Sequence, residues 1–363
     1  MTQYGCSGLD FVQATSKQFA AADMYGGVYS AGLFGDRGAQ IITQTERGTP
    51  LLMYLPFQSV HSPVQAPAAL IEQYQGRPRP KFMAMVKALD DAIGTLRTAL
   101  RTSGREANAV WIVTTDNGGC YWSYGNNHPL RGNKISYWNG GTQALAFVSS
   151  PLLRPMSIQT GNYDESSVRN ATFIMHAADW YATVLEIAGI SASSLPKSAI
   201  DSIGQWKAIQ AASSAGERTE LVHHAYGNGM GKIRRGRWQL YNVNTSMSGL
   251  ASLCNPSVDG WRGNPTSDDP FGITEPPSRP ADCSIKPCLF DLSVDQAERH
   301  DVAAAHPDIV RELLASLKAA VCPQSICHVD VAPGDGRCST TACDVLNTTG
   351  CFGPHCTLPP ALL

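Results

Sequence analysis

The sequence predicts an α/β protein in which buried strands alternate with long helices, followed by a smaller part built on antiparallel strands. Three patterns carry this reading. Residues 51–57, Leu-Leu-Met-Tyr-Leu-Pro-Phe, are a continuous apolar run, the pattern of a strand covered on both faces. Residues 81–102 place Phe82, Met85, Val86, Leu89, Ile93, Leu96 and Leu100 three and four apart, as an amphipathic helix does. Residues 110–115, Val-Trp-Ile-Val-Thr-Thr, repeat the buried-strand pattern. Strand, helix and strand in that order make a βαβ unit, which implies a parallel sheet with a right-handed crossover.

The remaining elements follow in order. Residues 30–46 have helical spacing through Leu33, Ala39 and Ile42, and residues 144–148 read as a further strand. Residues 175–188 read as a helix stopped by Gly189. Beyond about residue 195 the texture changes. Residues 220–226 and 231–241 look like antiparallel strands. Residues 242–285, rich in Pro, Gly, Ser and Asp, read as loop. Leu289-Phe-Asp-Leu-Ser is a short strand, and residues 307–320 form a helix with Pro307 in its first turn. The expected organisation is an α/β part over 1–195, a smaller α+β domain over 196–320 and a cysteine-rich tail over 321–363.

Composition narrows the function. The 363 residues are 43% hydrophobic and 16% charged, which suits a sizeable folded core. The net charge of −2, with no basic run, argues against a nucleic-acid partner. The apolar run at 51–57 is far too short for a membrane span.

Eleven cysteines suggest an oxidising compartment. Cys283/Cys288, Cys322/Cys327, Cys338/Cys343 and Cys351/Cys356 share one spacing. Disulfides are the favoured reading; zinc is the alternative, helped by His328 and His355, but zinc knuckles usually use a tighter Cys-x-x-Cys. Sequons at Asn170, Asn244 and Asn347 agree with a secretory route to a lysosomal or extracellular destination. The opening Met-Thr-Gln-Tyr-Gly-Cys-Ser-Gly is not a signal sequence. The odd cysteine count leaves one thiol without an internal partner, and Cys6 is the candidate.

Ligands of open parallel sheets bind beyond the carboxyl ends of the strands. There the two buried runs lead into Gln58-Ser-Val-His61 and into Asp116-Asn117-Gly118-Gly119, so His61, Asp116 and Asn117 are expected to converge. A carboxylate beside an amide carbonyl suits a hard cation such as Ca²⁺ or Mg²⁺. Each piece has a plainer reading. Asp-Asn-Gly is ordinary turn chemistry, a lone His61 is more often structural, and Lys134 by itself is a surface lysine.

Together the pieces say more. Phe57-Gln-Ser-Val-His61-Ser-Pro, Thr115-Asp116-Asn117-Gly-Gly, Gly125-Asn-Asn-His-Pro-Leu-Arg-Gly-Asn-Lys134 and Trp138-Asn-Gly-Gly141 resemble the sulfatases, and within them the arylsulfatase B type. Leu289-Phe-Asp-Leu-Ser-Val-Asp-Gln-Ala-Glu-Arg-His-Asp301 and His306-Pro-Asp resemble a segment near the end of the same enzymes. The resemblance runs from about residue 6 to 317 and is weak over 242–285 and the tail. It implies an alkaline-phosphatase/sulfatase-like α/β sandwich with a smaller C-terminal antiparallel-sheet domain. It implies hydrolysis of a sulfate ester, on a sulfated small molecule or glycan, by a hydrated formylglycine made from Cys or Ser. By the same resemblance Asp116 and Asn117 are calcium ligands, and His61 and Lys134 contact the sulfate. Those roles suit the chemistry, because fixed cationic groups and a metal stabilise the charge gathering on sulfate oxygens. A protonated His61 also suits a general acid.

One departure is large. The nucleophile motif, Cys or Ser followed by x-Pro-x-Arg, is not found in a suitable place; Pro277-Ser-Arg279 is the nearest string, with Glu275 where the nucleophile belongs. The family's paired aspartates after its first strand are also missing, since Asp90-Asp91 lies in a helix and Asp268-Asp269 in a loop. The expectation is an N-terminally incomplete sandwich that is inactive by itself and whose calcium site is incomplete. A phosphatase or phosphodiesterase is the alternative within the superfamily, and a non-catalytic secreted glycoprotein is the alternative outside enzymes. Trp122, Tyr124, His128 and Trp138 stand near these motifs with roles open between ligand contact and packing.

Overall fold

In the computed structural model, residues 27–153, 170–190, 201–225, 229–243 and 283–320 are described, together with six short backbone strands outside these spans. Two compact units appear. One comprises residues 1–29 and 324–363, and the other residues 30–323. In the first, β1 (Thr2–Gln3) pairs with β2 (Cys6–Ser7) and β3 (Val12–Ala14) with β4 (Phe19–Ala21), both antiparallel. The cysteine pairs of the tail and the sequons at Asn244 and Asn347 lie outside the described residues.

The larger unit opens with α1 (Ser30–Gln44), then α2 (Ala68–Glu72) and α3 (Pro80–Thr102). Pro80 opens α3 because a missing N–H costs nothing at the first turn of a helix. The predicted stripe is buried in part: Met85 and Leu96 are in the core, Phe82, Leu89, Ile93 and Leu100 are half-buried, and Val86 is exposed, while Ala84, Ala88, Ala92 and Ala99 complete the buried face. Small residues let the helices approach closely; a Cβ on Gly35 of α1 would stand 2.9 Å from the Ala92 Cβ.

The parallel βαβ pairing is not what forms among the described residues. Residues 51–57 form neither helix nor strand and belong to no ladder. Met53, Leu55 and Phe57 pack on Ile42, Leu96 and Ala99, whereas Leu52 and Tyr54 are 79% and 86% exposed. The apolar run is thus covered on one face only, which is why a continuous hydrophobic string over-predicted a strand buried on both. The second run forms β5 (Trp111–Thr114), whose partner is β6 (Ala146–Ser149), and they pair antiparallel.

Further on, α4 is the single turn Asn139–Thr142, α5 spans Asp179–Ile187 and α6 spans Trp206–Ala211. Helix α5 starts four residues later than its sequence pattern, and its first residue, Asp179, accepts the His176 N–H at 2.8 Å. Asp179 is fully buried, held by Arg218 through two bonds of 2.6 and 2.8 Å.

The antiparallel sheet forms as expected. Strands β7 (Glu220–Ala225), β8 (Gly231–Arg235), β9 (Trp238–Asn242) and β12 (Cys288–Asp291) lie in the order β12-β9-β8-β7. Two short strands, β10 (Trp261–Arg262) and β11 (Thr274–Glu275), pair within the predicted loop. Helix α7 (Pro307–Ala319) lies on one face of the four-stranded sheet, where Leu313 and Leu317 meet Ile233, Leu240 and Leu289. Burying each such side chain stabilises by about 1.5–3 kcal/mol. The opposite face buries Tyr241, Phe290 and the Cys283–Cys288 disulfide against Trp138. Trp138 is therefore a core residue, which settles its sequence-level ambiguity.

Candidate active site

The site grows from the end of β5. Thr115 continues the ladder by exchanging backbone and side-chain bonds with Leu145, and the chain then turns at Asp116. Asp116 Oδ1 accepts the Asn117 N–H at 2.8 Å, and Asn117 Nδ2 donates to Gly118 O at 2.9 Å. The turn reading of Asp-Asn-Gly therefore holds, with the Asp116 side chain exposed at its tip.

Backbone contact fixes the next loops. Gly118 N–H donates to Gly141 O at 2.9 Å, and Gly140 N–H donates to Arg131 O at 2.7 Å. A Cβ on Gly118 would fall 1.7 Å from Gly140 O, and one on Gly140 would fall 2.3 Å from Gly132 O. Three segments, around 118, 132 and 140, are thus stacked with no room for side chains. Asn127 clamps the stack from the side. Its Oδ1 accepts the Gly119 N–H at 2.7 Å, and its Nδ2 donates to Gly119 O and Gly132 O at 3.1 and 3.3 Å. Sequence reasoning quoted Asn127 only within a motif. The string Asn127-His128-Pro129-Leu130-Arg131 has the x-Pro-x-Arg spacing with Asn in the nucleophile's place, and this Asn is a structural clamp.

Lys134 leaves that stack toward His61. Its N–H donates to Gly119 O at 3.1 Å, which ties it to the Asp116 loop. Its ammonium lies 3.2 Å from His61 Nε2, and His61 Nδ1 lies 2.7 Å from Ser62 O. A lysine only donates and a carbonyl only accepts. The imidazole therefore carries its proton on Nδ1 and receives Lys134 at Nε2. The structure brings His61 to Lys134 and Lys134 to the Asp116–Gly119 loop. Neither His61 nor Lys134 bonds directly to the Asp116 or Asn117 side chain. Trp122 stands 56% exposed on the turn after this loop, beside Tyr121. Cys120 is disulfide-bonded.

Asp116 and Asn117 offer the oxygen donors that a calcium ion takes, but calcium needs about six to eight. No group of three His, Cys, Asp or Glu side chains is placed to hold a metal among the described residues. These two residues alone do not fit a calcium ion.

Behind the loops is a buried polar group. Lys232 of β8, fully buried, donates to Tyr137 O, Asn139 Oδ1 and Thr142 Oγ1 at 2.9, 3.0 and 2.7 Å. Glu298, also fully buried, accepts the Asn139 N–H at 2.9 Å, Gln239 Nε2 at 2.6 Å and the Tyr241 hydroxyl. Arg131 stacks 3.6 Å over the Trp138 ring and donates to Glu298 O at 3.3 Å. Burial lowers the Lys232 ammonium to about 7, against the opposing pull of Glu298. Burial likewise raises the Glu298 carboxyl, against Lys232 and its hydrogen bonds. Lys232 carried no recognisable sequence signal, because a lysine in an alternating strand reads as a solvent-facing residue.

A family model for sulfatases matches residues 2–190. The chain belongs to the sulfatase family. This sulfatase is 31% identical to arylsulfatase J of Mus musculus over 318 residues, covering 82% of this chain and 50% of that protein. It is 29% identical to a sulfatase of Formosa agariphila over 162 residues, covering 40% of this chain and 27% of that protein. The chain thus spans half or less of the length of these curated relatives. Among solved structures, Ps i-CgsB superposes with a TM-score of 0.58 at 19% identity, over 80% of this chain and 55% of that one. The PsFucS1 sulfatase from Pseudoalteromonas sp. gives 0.51 at 19% identity, over 78% and 51%. These likenesses establish the alkaline-phosphatase-like sulfatase fold. Sulfatases typically use a metal and a formylglycine.

Proposed function

We propose that this chain carries the sulfate-recognising part of an arylsulfatase B-like sulfate-ester hydrolase. The observation that supports the reading most is the approach of Lys134 to His61, two groups able to carry positive charge, delivered by separate loops to one point. An entering sulfate accepts from the Lys134 ammonium in place of His61, with Coulomb attraction added to the hydrogen bond. Released from Lys134, His61 Nε2 is available to take a proton and to give it to the ester's leaving oxygen as general acid. Asp116 and Asn117 by themselves do not make a calcium site, so the reading rests on Lys134 and His61 and routes no step through a metal.

The substrate class is a sulfated small molecule or sulfated glycan. Ps i-CgsB has been crystallised in complex with k-i-k-neocarrahexaose, which supports the glycan. The Cys283–Cys288 disulfide and the exposed sequon at Asn170 support a secretory location. No helix among the described residues is long and apolar enough to cross a membrane.

Calorimetric titration of the full chain with phenyl sulfate and with phenol tests the reading. Binding of the sulfate alone, clearly weakened by Lys134→Ala, is expected; equal binding of both compounds overturns it. Without a Cys/Ser-x-Pro-x-Arg string, this chain is expected to bind aryl sulfates and not turn them over. Turnover abolished by Asp116→Ala would refute that expectation.

A further inference from the structure

The buried polar group behind the loops has no place in the chemistry above, yet it reaches the same backbone that carries the site. Lys232 projects from β8 on the face opposite α7, while its neighbour Ile233 packs under the helix. Its three donors are each matched by an acceptor, all from 137–142. An ammonium has three N–H donors, so the coordination is complete. Glu298 and Gln239 fasten the same turn through Asn139, one at its N–H and the other at its Oδ1, the latter bond 3.0 Å long. The turn has no side-chain cap of its own.

That turn is the middle layer of the glycine stack. On one side Gly141 O receives Gly118, two residues beyond Asp116; on the other, Gly140 donates to Arg131, three residues before Lys134. The contacts are backbone to backbone with no side chain between, so a displacement of the turn passes to both loops without being absorbed. A buried lysine on a second sheet is costly unless every donor is used. Here all of its bonds go to this one turn and the residues flanking it.

We propose that Lys232 is a positioning residue of the site: from the antiparallel sheet it holds the Asn139–Thr142 turn, and through the Gly118/Gly140/Gly132 stack it sets the Asp116 and Lys134 loops. This deepens the sulfate-recognition reading and rests on it for the role of Lys134. The stack itself is independent of that role.

The test compares the full-length chain with Lys232→Met, Lys232→Arg and Lys134→Ala, by amide hydrogen exchange and by phenyl sulfate titration. In Lys232→Met, exchange at the Gly118 and Gly140 amides is expected to rise at least about tenfold while Ala88 and Ala92 in α3 stay as in the parent. Phenyl sulfate affinity is expected to fall about tenfold. Lys232→Arg, which keeps charge and donors, is expected to recover part of both. Unchanged exchange at Gly118 and Gly140, or an equal rise throughout α3, overturns the proposal. If Lys232→Met does not fold, Lys232→Gln takes its place with the same two criteria. Should Lys134→Ala bind phenyl sulfate like the parent while exchange behaves as expected, the sulfate reading fails and the positioning role stands.

Discussion

Lys134 donates its ammonium proton to His61 Nε2 over 3.2 Å, although 73 positions separate the two residues in the chain. Each side chain restrains the other, since His61 is fixed at its far nitrogen by Ser62 O and Lys134 at its backbone by Gly119 O. A single anion displaces one bond and gains two neighbours. The two residues should therefore act as a unit.

His61→Ala and Lys134→Ala are each expected to weaken phenyl sulfate binding, with the double variant losing less than the sum. The coupling expected for directly bonded partners is about 0.5–3 kcal/mol. Calorimetric titration of the four proteins measures it, and strictly additive losses would show two independent contacts.

Gly118→Ala should destabilise the fold by about 3 kcal/mol, the upper range for forced overpacking. The added methyl falls 1.7 Å from a backbone oxygen, which has no rotamer to escape through. Gly94→Ala is the control: it sits in α3 with nothing within 4 Å, and should stabilise by about 0.5–1 kcal/mol. Urea unfolding of both variants distinguishes a steric cause from a general intolerance of glycine loss.

Lys232 predicts a pH dependence of stability with a definite sign. Its folded value of about 7 lies below the ordinary 10.5, with burial the main cause. Between those values the unfolded chain holds a proton that the folded chain has released. The contribution of this group therefore rises with pH from about 7 to 10.5, by up to about 1.4 kcal/mol per pH unit, and is level outside that window. Glu298 works the other way: its raised value makes its contribution fullest at low pH and lost as pH climbs through that value. Tyr241, held well above its usual value by burial and by Glu298, stays protonated throughout. Urea unfolding from pH 7 to 9 should show the rise in the parent and a flatter line in Lys232→Met. Parallel lines would count against it.

The apolar segment at 51–57 predicts opposite outcomes at alternate positions. Leu52→Lys and Tyr54→Ser should change stability by no more than about 0.5 kcal/mol and slow aggregation, because both side chains face solvent. Leu55→Ala should cost about 2 kcal/mol or more, because Leu55 packs on Ile42 and Leu96. Denaturation midpoints with turbidity on heating separate the two classes; a large loss at Leu52 would show that its face is covered.

Much of this was legible from residue pattern. The helices α1, α3 and α7 and the strands of the second sheet follow from spacing, since a helix or strand with one covered face leaves a periodic trace. The burial of 51–57 was misjudged, because an uninterrupted apolar run does not say how many of its faces have neighbours. On α3 the stripe was right at Met85 and Leu96, where Gly38 leaves room for the leucine, and it missed the alanines, of which Ala92 packs closely on Gly35. His61, Asp116 and Asn117 were singled out from the ends of the apolar runs and, with Lys134, from a motif resemblance. Asn127 and Lys232 were not, because their importance lies in contacts between segments distant along the chain.

The antiparallel sheet has one further consequence. In β9 the odd and even positions have different clients, Trp238 and Leu240 under α7, Gln239 and Tyr241 toward the turn at 139–142. The pleat thus works as a reading frame. Inserting one residue before Trp238 would exchange the two sets, driving Gln239 and Tyr241 under the helix and leaving Asn139 facing leucine. Inserting two would restore the phase. Point changes on the exposed Trp122 rim leave this frame intact, so the chain has room to vary at its mouth and almost none in the count of residues behind it.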